Sequence, residues 1–153
     1  MNYVTGVDMS TGSLGQGFAV ADGMALANKL AGNDHRIYCL IGDGETEEGE
    51  IWEAAMAAAH YKNDNLCAIV DVNGLQIDGK TSDVIGPEPL DQKFAAFGFH
   101  VIRVDGHNME ELQAAFAEAK TVKGKPTAII ARTVKGKGVS FMENNAGWHG
   151  KAP

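Results

Sequence analysis

The sequence predicts an α/β fold, an open parallel sheet with helices on both faces. Three observations carry this. Four short apolar runs, 36–42, 66–72, 99–104 and 127–132, have the length and bulk of buried strands. Helical patterns at about 12–31, 47–62, 89–97 and 108–122 alternate with them, and such alternation builds a parallel sheet between two helical layers. Glycine is abundant, with 19 residues among 153, as the many turns of such a fold require.

The first helix is rich in small residues: Gly15, Gly17, Ala19, Ala21, Gly23, Ala25 and Ala27. Small side chains let backbones approach closely, either on the chain's own sheet or across a subunit interface. The runs Ile37–Ile41 and Leu66–Val70 are both expected as buried strands, joined by the Ala-rich helix that carries Ile51, Trp52 and Met56. A right-handed crossover puts the two strand ends on the same edge of the sheet. The helix at 108–122 shows Met109, Leu112, Phe116 and Ala119 at helical spacing, with Asn108 as its N-cap. From Val134 apolar periodicity ends, so 134–153 is expected as an active-site loop and tail. With no repeat, low-complexity tract or linker in sight, residues 1–153 read as a single domain.

Net charge is −7, which argues against a nucleic-acid surface or an anionic membrane. The apolar stretch from Leu14 to Leu30 is broken by Asp22, Asn28 and Lys29 and is not expected to span a bilayer. With no signal peptide evident, a cytoplasmic location is expected. Cys39 and Cys67 sit in predicted strands, where small hydrophobes in a reducing compartment are favoured over a disulfide.

The chemistry centres on Ile41-Gly42-Asp43-Gly44-Glu45 and, thirty positions after Asp43, on Asn73 in Asp71-Val72-Asn73. One carboxylate and one amide are expected to meet beside the N–H groups of a glycine turn. A glycine turn alone would suit a phosphate. A bare Asp43 beside it would repel one, and a hard cation such as Mg2+ (or Ca2+) removes the conflict by bridging carboxylate and phosphate oxygens. Asp43 is expected at a strand end outside the core.

Gly42-Asp43-Gly44, the spacing and Asn73 resemble the thiamine-diphosphate motif. Gly6-Val7-Asp8-Met9-Ser10-Thr11-Gly12-Ser13-Leu14-Gly15-Gln16-Gly17 and Trp148-His149-Gly150-Lys151-Ala152-Pro153 narrow the likeness to transketolase, in particular to its amino-terminal subunit in split enzymes. The resemblance implies thiamine diphosphate as cofactor. It implies metal ligation by Asp43, Asn73 and the Leu75 carbonyl, and diphosphate contacts from Gly42 and Gly44. Gly12, Leu14 and Ile77 match positions at the ring system; core packing is the plainer role for Leu14 and Ile77. Lys135 matches a lysine beside the cofactor, and His149 a contact to diphosphate and substrate.

Glu45, Glu47, Glu48 and Glu50 crowd a helix start, where carboxylates gain about 0.3–1 kcal/mol each. Glu48 also matches a family position at the dimer interface in a chain of glutamates coupling two active sites. The reaction implied is transfer of a two-carbon ketol unit between sugar phosphates, with a carboxy-terminal subunit supplying the pyrimidine domain. Family subunits carry a segment before Gly6-Val7-Asp8-Met9-Ser10 that is not seen here, so the chain is expected to be amino-terminally incomplete and inactive alone. A non-catalytic oligomerising remnant, or another thiamine enzyme such as 1-deoxyxylulose-5-phosphate synthase or a 2-oxoacid dehydrogenase component, would share the fold. A homo-oligomer is expected, held through the small-residue helix at Ala21 and Ala25 and through the Ile51, Trp52, Met56 face.

Overall fold

The computed structural model describes residues 4–153. Met1, Asn2 and Tyr3, where the expected truncation falls, lie outside the described residues. Four strands form one parallel sheet: β1 Ile37–Gly42, β2 Leu66–Val72, β5 His100–Asp105 and β6 Thr127–Arg132, in the spatial order β1-β2-β6-β5. Five helices accompany them: α1 Gln16–Leu30, α2 Gly49–His60, α3 Thr81–Val84, α4 Leu90–Ala96 and α5 Met109–Thr121. The remaining strands, β3 Leu75–Gln76 and β4 Gly79–Lys80, form a small antiparallel hairpin directly after β2. It and α3 are too short to show a periodicity in sequence. Among the described residues no helix is long and apolar enough to cross a membrane.

Each face of the sheet builds its own core. On one face Phe18, Ala21 and Ala25 of α1, Ile51 and Ala55 of α2, and Leu90 and Phe94 of α4 pack on Leu66, Ala68, Val70 and Ile130. On the other, Ala115 and Ala119 of α5, with Leu112 and Phe116, cover Cys67, Ile129 and Ala131. Side chains such as Leu66, Val70, Phe94 and Ile129 are fully buried, each worth about 1.5–3 kcal/mol in transfer from water.

Four expectations change here. The first helix starts at Gln16, not at 12, because Gly15 takes φ 85°, a left-handed conformation that no helix continues through. The second starts at Gly49, because the residues before it form a tight 3-10 turn, Gly44–Glu47, and Glu48 is extended. β1 is an edge strand; its Tyr38 and Leu40 side chains point to the α5 face, where Tyr38 meets only the edge of α5 through Phe116 at 5.7 Å, and they are 44% and 72% exposed. The expected oligomer surface is also wrong in its particulars. Ala21, Ala25 and Ile51 are buried in the chain's own core, and Trp52 stacks on Phe97 at 5.2 Å. The small residues of α1 serve close helix packing within the chain: a Cβ on Gly17 would lie 2.7 Å from Thr11 Cγ2. Of the proposed face only Met56 is exposed.

The two cysteines cannot pair. Tyr38 stands opposite Cys67 in the register and Cys39 opposite Ala68, so the thiols lie on opposite faces of the sheet. Burial pushes both thiols up to about 11, which keeps them protonated.

α1 is tied to the turn between α2 and β2 by polar groups. Lys29 Nζ donates to the carbonyls of Tyr61 and Lys62, and Asn65 Nδ2 to that of Ala25. Asn63 Nδ2 donates to Asp22 Oδ1 at 2.7 Å, while Asn63 Oδ1 is buried without a partner. Burial holds the Asp22 carboxyl above its ordinary range, against the opposing pull of the Asn63 amide. A carboxyl whose pKa is raised by folding stabilises the fold in its protonated form, so its contribution is lost as pH rises through the raised value. Asp22→Asn removes the buried charge and offers an N–H to Asn63 Oδ1. The variant is expected to be more stable than the unmodified chain at pH 7, by about 1 kcal/mol. The gap should narrow as pH falls from 7 into the acid range, as Asp22 takes up its proton. Thermal unfolding across that range checks both statements.

Candidate functional site

The order of strands reverses between β2 and β6. The β1–β2 connection runs through α2 on one face, and the β5–β6 connection through α5 on the other. Backbones diverging from such a point leave a crevice at the carboxyl ends of the strands. The segments opening there are Asn73–Lys80 after β2 and Thr133 onward after β6, with the turn after β1 beside them.

Asp43 begins that turn. Its N–H donates to the Asp71 carbonyl at 3.0 Å, and its own carbonyl accepts from the Thr46 hydroxyl at 2.6 Å. The carboxylate joins two turns: Oδ1 accepts from the Gly44 N–H at 2.8 Å and Oδ2 from the Gly74 N–H at 2.6 Å. Gly74 takes φ 75°, a left-handed bend that aims its N–H back at Asp43. Asn73 Oδ1 accepts from the Leu75 N–H at 3.0 Å. The expected meeting of the two strand ends is therefore seen: Asp43 sits against the Asn73-Gly74-Leu75 bend.

One expectation is corrected. Asp43 is only 2% exposed, so it is a core group as well as a strand-end group. Burial pushes its carboxyl above the ordinary range, the Gly74 and Gly44 N–H groups pull it down, and the neighbouring Asp71 pushes it up again. Truncation to Ala would leave two backbone donors without their acceptor, so it would disturb the fold along with any bound cation.

Among the described residues no three His, Cys, Asp or Glu side chains converge on one point. The Asp43 site offers one carboxylate and one amide oxygen, an oxygen-only set suited to a hard cation that brings further oxygen ligands with it. Glycine leaves room beside it, since a Cβ on Gly42 would meet nothing within 4 Å. Gly44 is glycine for a different reason: a Cβ there would lie 3.0 Å from Gln76 Cβ and 3.2 Å from Gln76 Oε1. Gln76 Oε1 and Glu47 Oε1 are buried there without partners. The donor set, the open space over Gly42 and these unmatched polar atoms fit a polar, cation-bridged ligand.

The other expected residues surround this point at varied depth. Gly12 is exposed, and Leu14 and Ile77 are 55% and 67% exposed, so the latter two are not core residues. Ile77 lies at the tip of the β3–β4 hairpin. Glu48 is the extended N-cap of α2; it is exposed and makes no side-chain cap bond. Lys135 is half-buried, and its carbonyl accepts from the Asn144 N–H at 3.0 Å. His149 is exposed and follows a second 3-10 turn, Ala146–Trp148, that packs beside β4. Trp148 anchors that turn through Nε1 to the Phe141 carbonyl and by edge contact with the Phe141 ring.

Three contributors were not singled out from sequence. His107, given no role, accepts the Val134 N–H on Nε2 at 2.7 Å and pins the start of the last loop. The Thr133 hydroxyl donates to Asp71 Oδ1, closing β6 onto β2. Gln76 roofs Gly44. None carries a motif, because each acts through tertiary approach.

The loop after β6 is itself built on a close backbone crossing. Gly136 takes φ 74°, and a Cβ there would lie 2.7 Å from the Met142 backbone. Gly136→Ala is therefore expected to cost about 1–3 kcal/mol and to loosen the segment from Val134 to Asn145. Faster amide exchange at Asn144, with the sheet amides unchanged, is the measurement that shows it.

Comparison with known proteins gives the family. The family model described as "Transketolase, thiamine diphosphate binding domain" matches residues 1–153. The chain is 50% identical over 149 residues to the 6-deoxy-6-sulfo-D-fructose transketolase subunit of Clostridium sp. (strain MSTE9), covering 97% of this chain and 54% of that protein. It is 45% identical over 150 residues to an apulose-4-phosphate transketolase subunit of Phocaeicola vulgatus, covering 98% of this chain and 53% of that protein. It thus spans about half the length of these relatives. Among solved structures, transketolase from Leishmania mexicana superposes with a TM-score of 0.82 at 39% identity, over 93% of this chain and 24% of that one.

Proposed function

The chain belongs to the family of transketolase thiamine-diphosphate-binding domains, and from that premise we propose that it holds the diphosphate end of thiamine diphosphate as part of a ketol-transferring enzyme. The observation that carries this is Asp43, a carboxylate buried between the Gly44 and Gly74 N–H groups and facing the Asn73 bend. A cation, Mg2+ or Ca2+, would be held by Asp43, by Asn73 and by the Leu75 carbonyl, with diphosphate oxygens completing its shell. The turn Gly42-Asp43-Gly44 would face the diphosphate. Gly12, Leu14 and Ile77 would lie along the ring system, and their exposure is consistent with surfaces awaiting a partner.

When bound, thiamine diphosphate supplies the carbanion chemistry of two-carbon transfer. The residues of this chain fix its diphosphate through the cation and so set where its reactive ring lies. His149 and Lys135, on the loop and tail, would contact diphosphate and substrate oxygens. Glu48, exposed at the start of α2, would meet a neighbouring protomer. The pyrimidine-binding domain would come with a carboxy-terminal subunit; support comes from the relatives, which are called subunits and extend to about twice the matched length. The substrate class would be a ketose ending in an anionic group, by analogy with the sulfo and phosphate sugars in those relatives' names. We place the protein in the cytoplasm and expect it to be a homo-oligomer.

Asp43→Asn tests the cation. It keeps size and one acceptor oxygen while removing the charge, so it is a cleaner probe than Ala. Titration calorimetry with Mg2+ and thiamine diphosphate is expected to show affinity weakened by about tenfold or more. Melting temperatures recorded alongside separate a folding loss from a binding loss. Unchanged affinity would overturn the metal assignment. In a coupled assay with a pentulose phosphate, the chain alone is expected to show no turnover; robust turnover would contradict its dependence on a pyrimidine-domain subunit.

A further inference from the structure

Glu45 has so far figured only as one of four carboxylates at a helix start, yet its own carboxylate spans the two halves of the site. Oε1 accepts from the Gly15 N–H at 3.0 Å and Oε2 from the Gly42 N–H at 3.1 Å. Gly15 directly follows Leu14, at the end of the segment assigned to the ring system. Gly42 directly precedes Asp43, at the diphosphate turn. One side chain therefore sets the spacing of two backbone segments that come together only in the fold. Contact reinforces the bonds: a Cβ on Gly15 would lie 3.2 Å from Glu48 Cβ and 3.3 Å from Glu50 Cβ, so the segment is seated on the start of α2. A carboxylate suits this place because it only accepts, and here both neighbours are donors. Hydrogen bonds to an ionised acceptor are about twice as strong as neutral ones.

The geometry points to Glu45 as a positioning residue that holds the ring-end segment, residues 12–14, at a fixed distance from the diphosphate turn, residues 42–44. It does not touch the ligand. It acts through Gly15 and Gly42, and its role rests on the thiamine diphosphate assignment made above. Glu45→Gln preserves the shape but sets an NH2 group against one of the two N–H donors. The remaining oxygen stays on Gly42, three residues away within the same turn, and the NH2 group faces Gly15, so the ring-end segment is released while Asp43 and its turn remain. A ligand that uses only the turn is unaffected, and a ligand that needs both ends loses affinity.

The test compares two ligands on the unmodified chain, on Glu45→Gln and on Glu45→Asp, each shown by circular dichroism to be folded. Calorimetry is run with Mg2+ and inorganic pyrophosphate, and separately with Mg2+ and thiamine diphosphate. The expected result is pyrophosphate affinity within about twofold in all three proteins. Thiamine diphosphate affinity should fall by about tenfold or more in Glu45→Gln, with Glu45→Asp intermediate. In the unmodified chain the Gly15 and Gly42 amides should exchange slowly with deuterium, and in Glu45→Gln the Gly15 amide should exchange fast while the Gly42 amide stays slow. Equal losses for both ligands, or no loss for thiamine diphosphate, would refute the positioning role. Fast exchange at Gly15 or Gly42 in the unmodified chain would refute it without any variant. Failure of the unmodified chain to bind either ligand would instead remove the thiamine diphosphate assignment, and the positioning role with it, whatever the exchange rates.

Discussion

The site depends on one buried carboxylate. Asp43 begins the turn after β1, yet it is bonded to Gly74, beyond the end of β2. Parallel strands diverge at their carboxyl ends, where ladder hydrogen bonding stops. Without a tie, each exit loop would carry unpaired N–H groups, and buried donors of that kind cost about 1–3 kcal/mol apiece. Asp43 satisfies one on each side, at Gly44 and Gly74. The same group is the best candidate to hold a cation. The raised pKa of the carboxyl is a consequence of that dual position, since a charge is kept where water is excluded and Asp71 stands nearby. A bound cation would reverse the balance by favouring the ionised form.

Around this tie the sheet is asymmetric. Three helices cover one face and α5 alone covers the other. β1, at the edge, pairs with β2 alone among the described strands and leaves Leu40 open on the α5 side, with Tyr38 partly covered by Phe116. β5, at the opposite edge, carries the Arg103–Asp91 ion pair, a charge pair of the kind that discourages further strand pairing, and His100 bonded to Glu118. Other exposed apolar side chains are spread over the molecule, among them Leu30 on α1, Met56 on α2, Ile77 on the hairpin and Met109 at the start of α5.

Much of the architecture was legible from the residues. All four sheet strands fall within two residues of their expected positions, because continuous apolar runs bounded by polar turns leave little alternative length. Asn108 caps α5 as its position suggested, accepting from the Glu110 and Glu111 N–H groups, because a cap is a local bond between near neighbours in sequence. The helix starts at 12 and 47 were misplaced, because Gly15 and the Gly44–Glu47 turn are bent by tertiary contacts that periodicity does not register. Ala21 and Ala25 look alike whether they face a neighbouring protomer or the chain's own α2 and sheet, and only the packing distinguishes the two.

By itself the sequence determined the class of fold, the strand ends where Asp43 and Asn73 stand, and the family to which those residues belong. These follow from period, apolar length and a short spacing, all properties of neighbouring residues. Tertiary structure alone decided the strand order β1-β2-β6-β5 and the opposed faces of Cys39 and Cys67. It also decided the partners of the polar groups at the site: Gly74 for Asp43, Gly15 and Gly42 for Glu45, His107 for Val134. Each of these is a bond or contact between residues distant along the chain. Its existence depends on how the backbone returns, and no local pattern of side chains encodes that return.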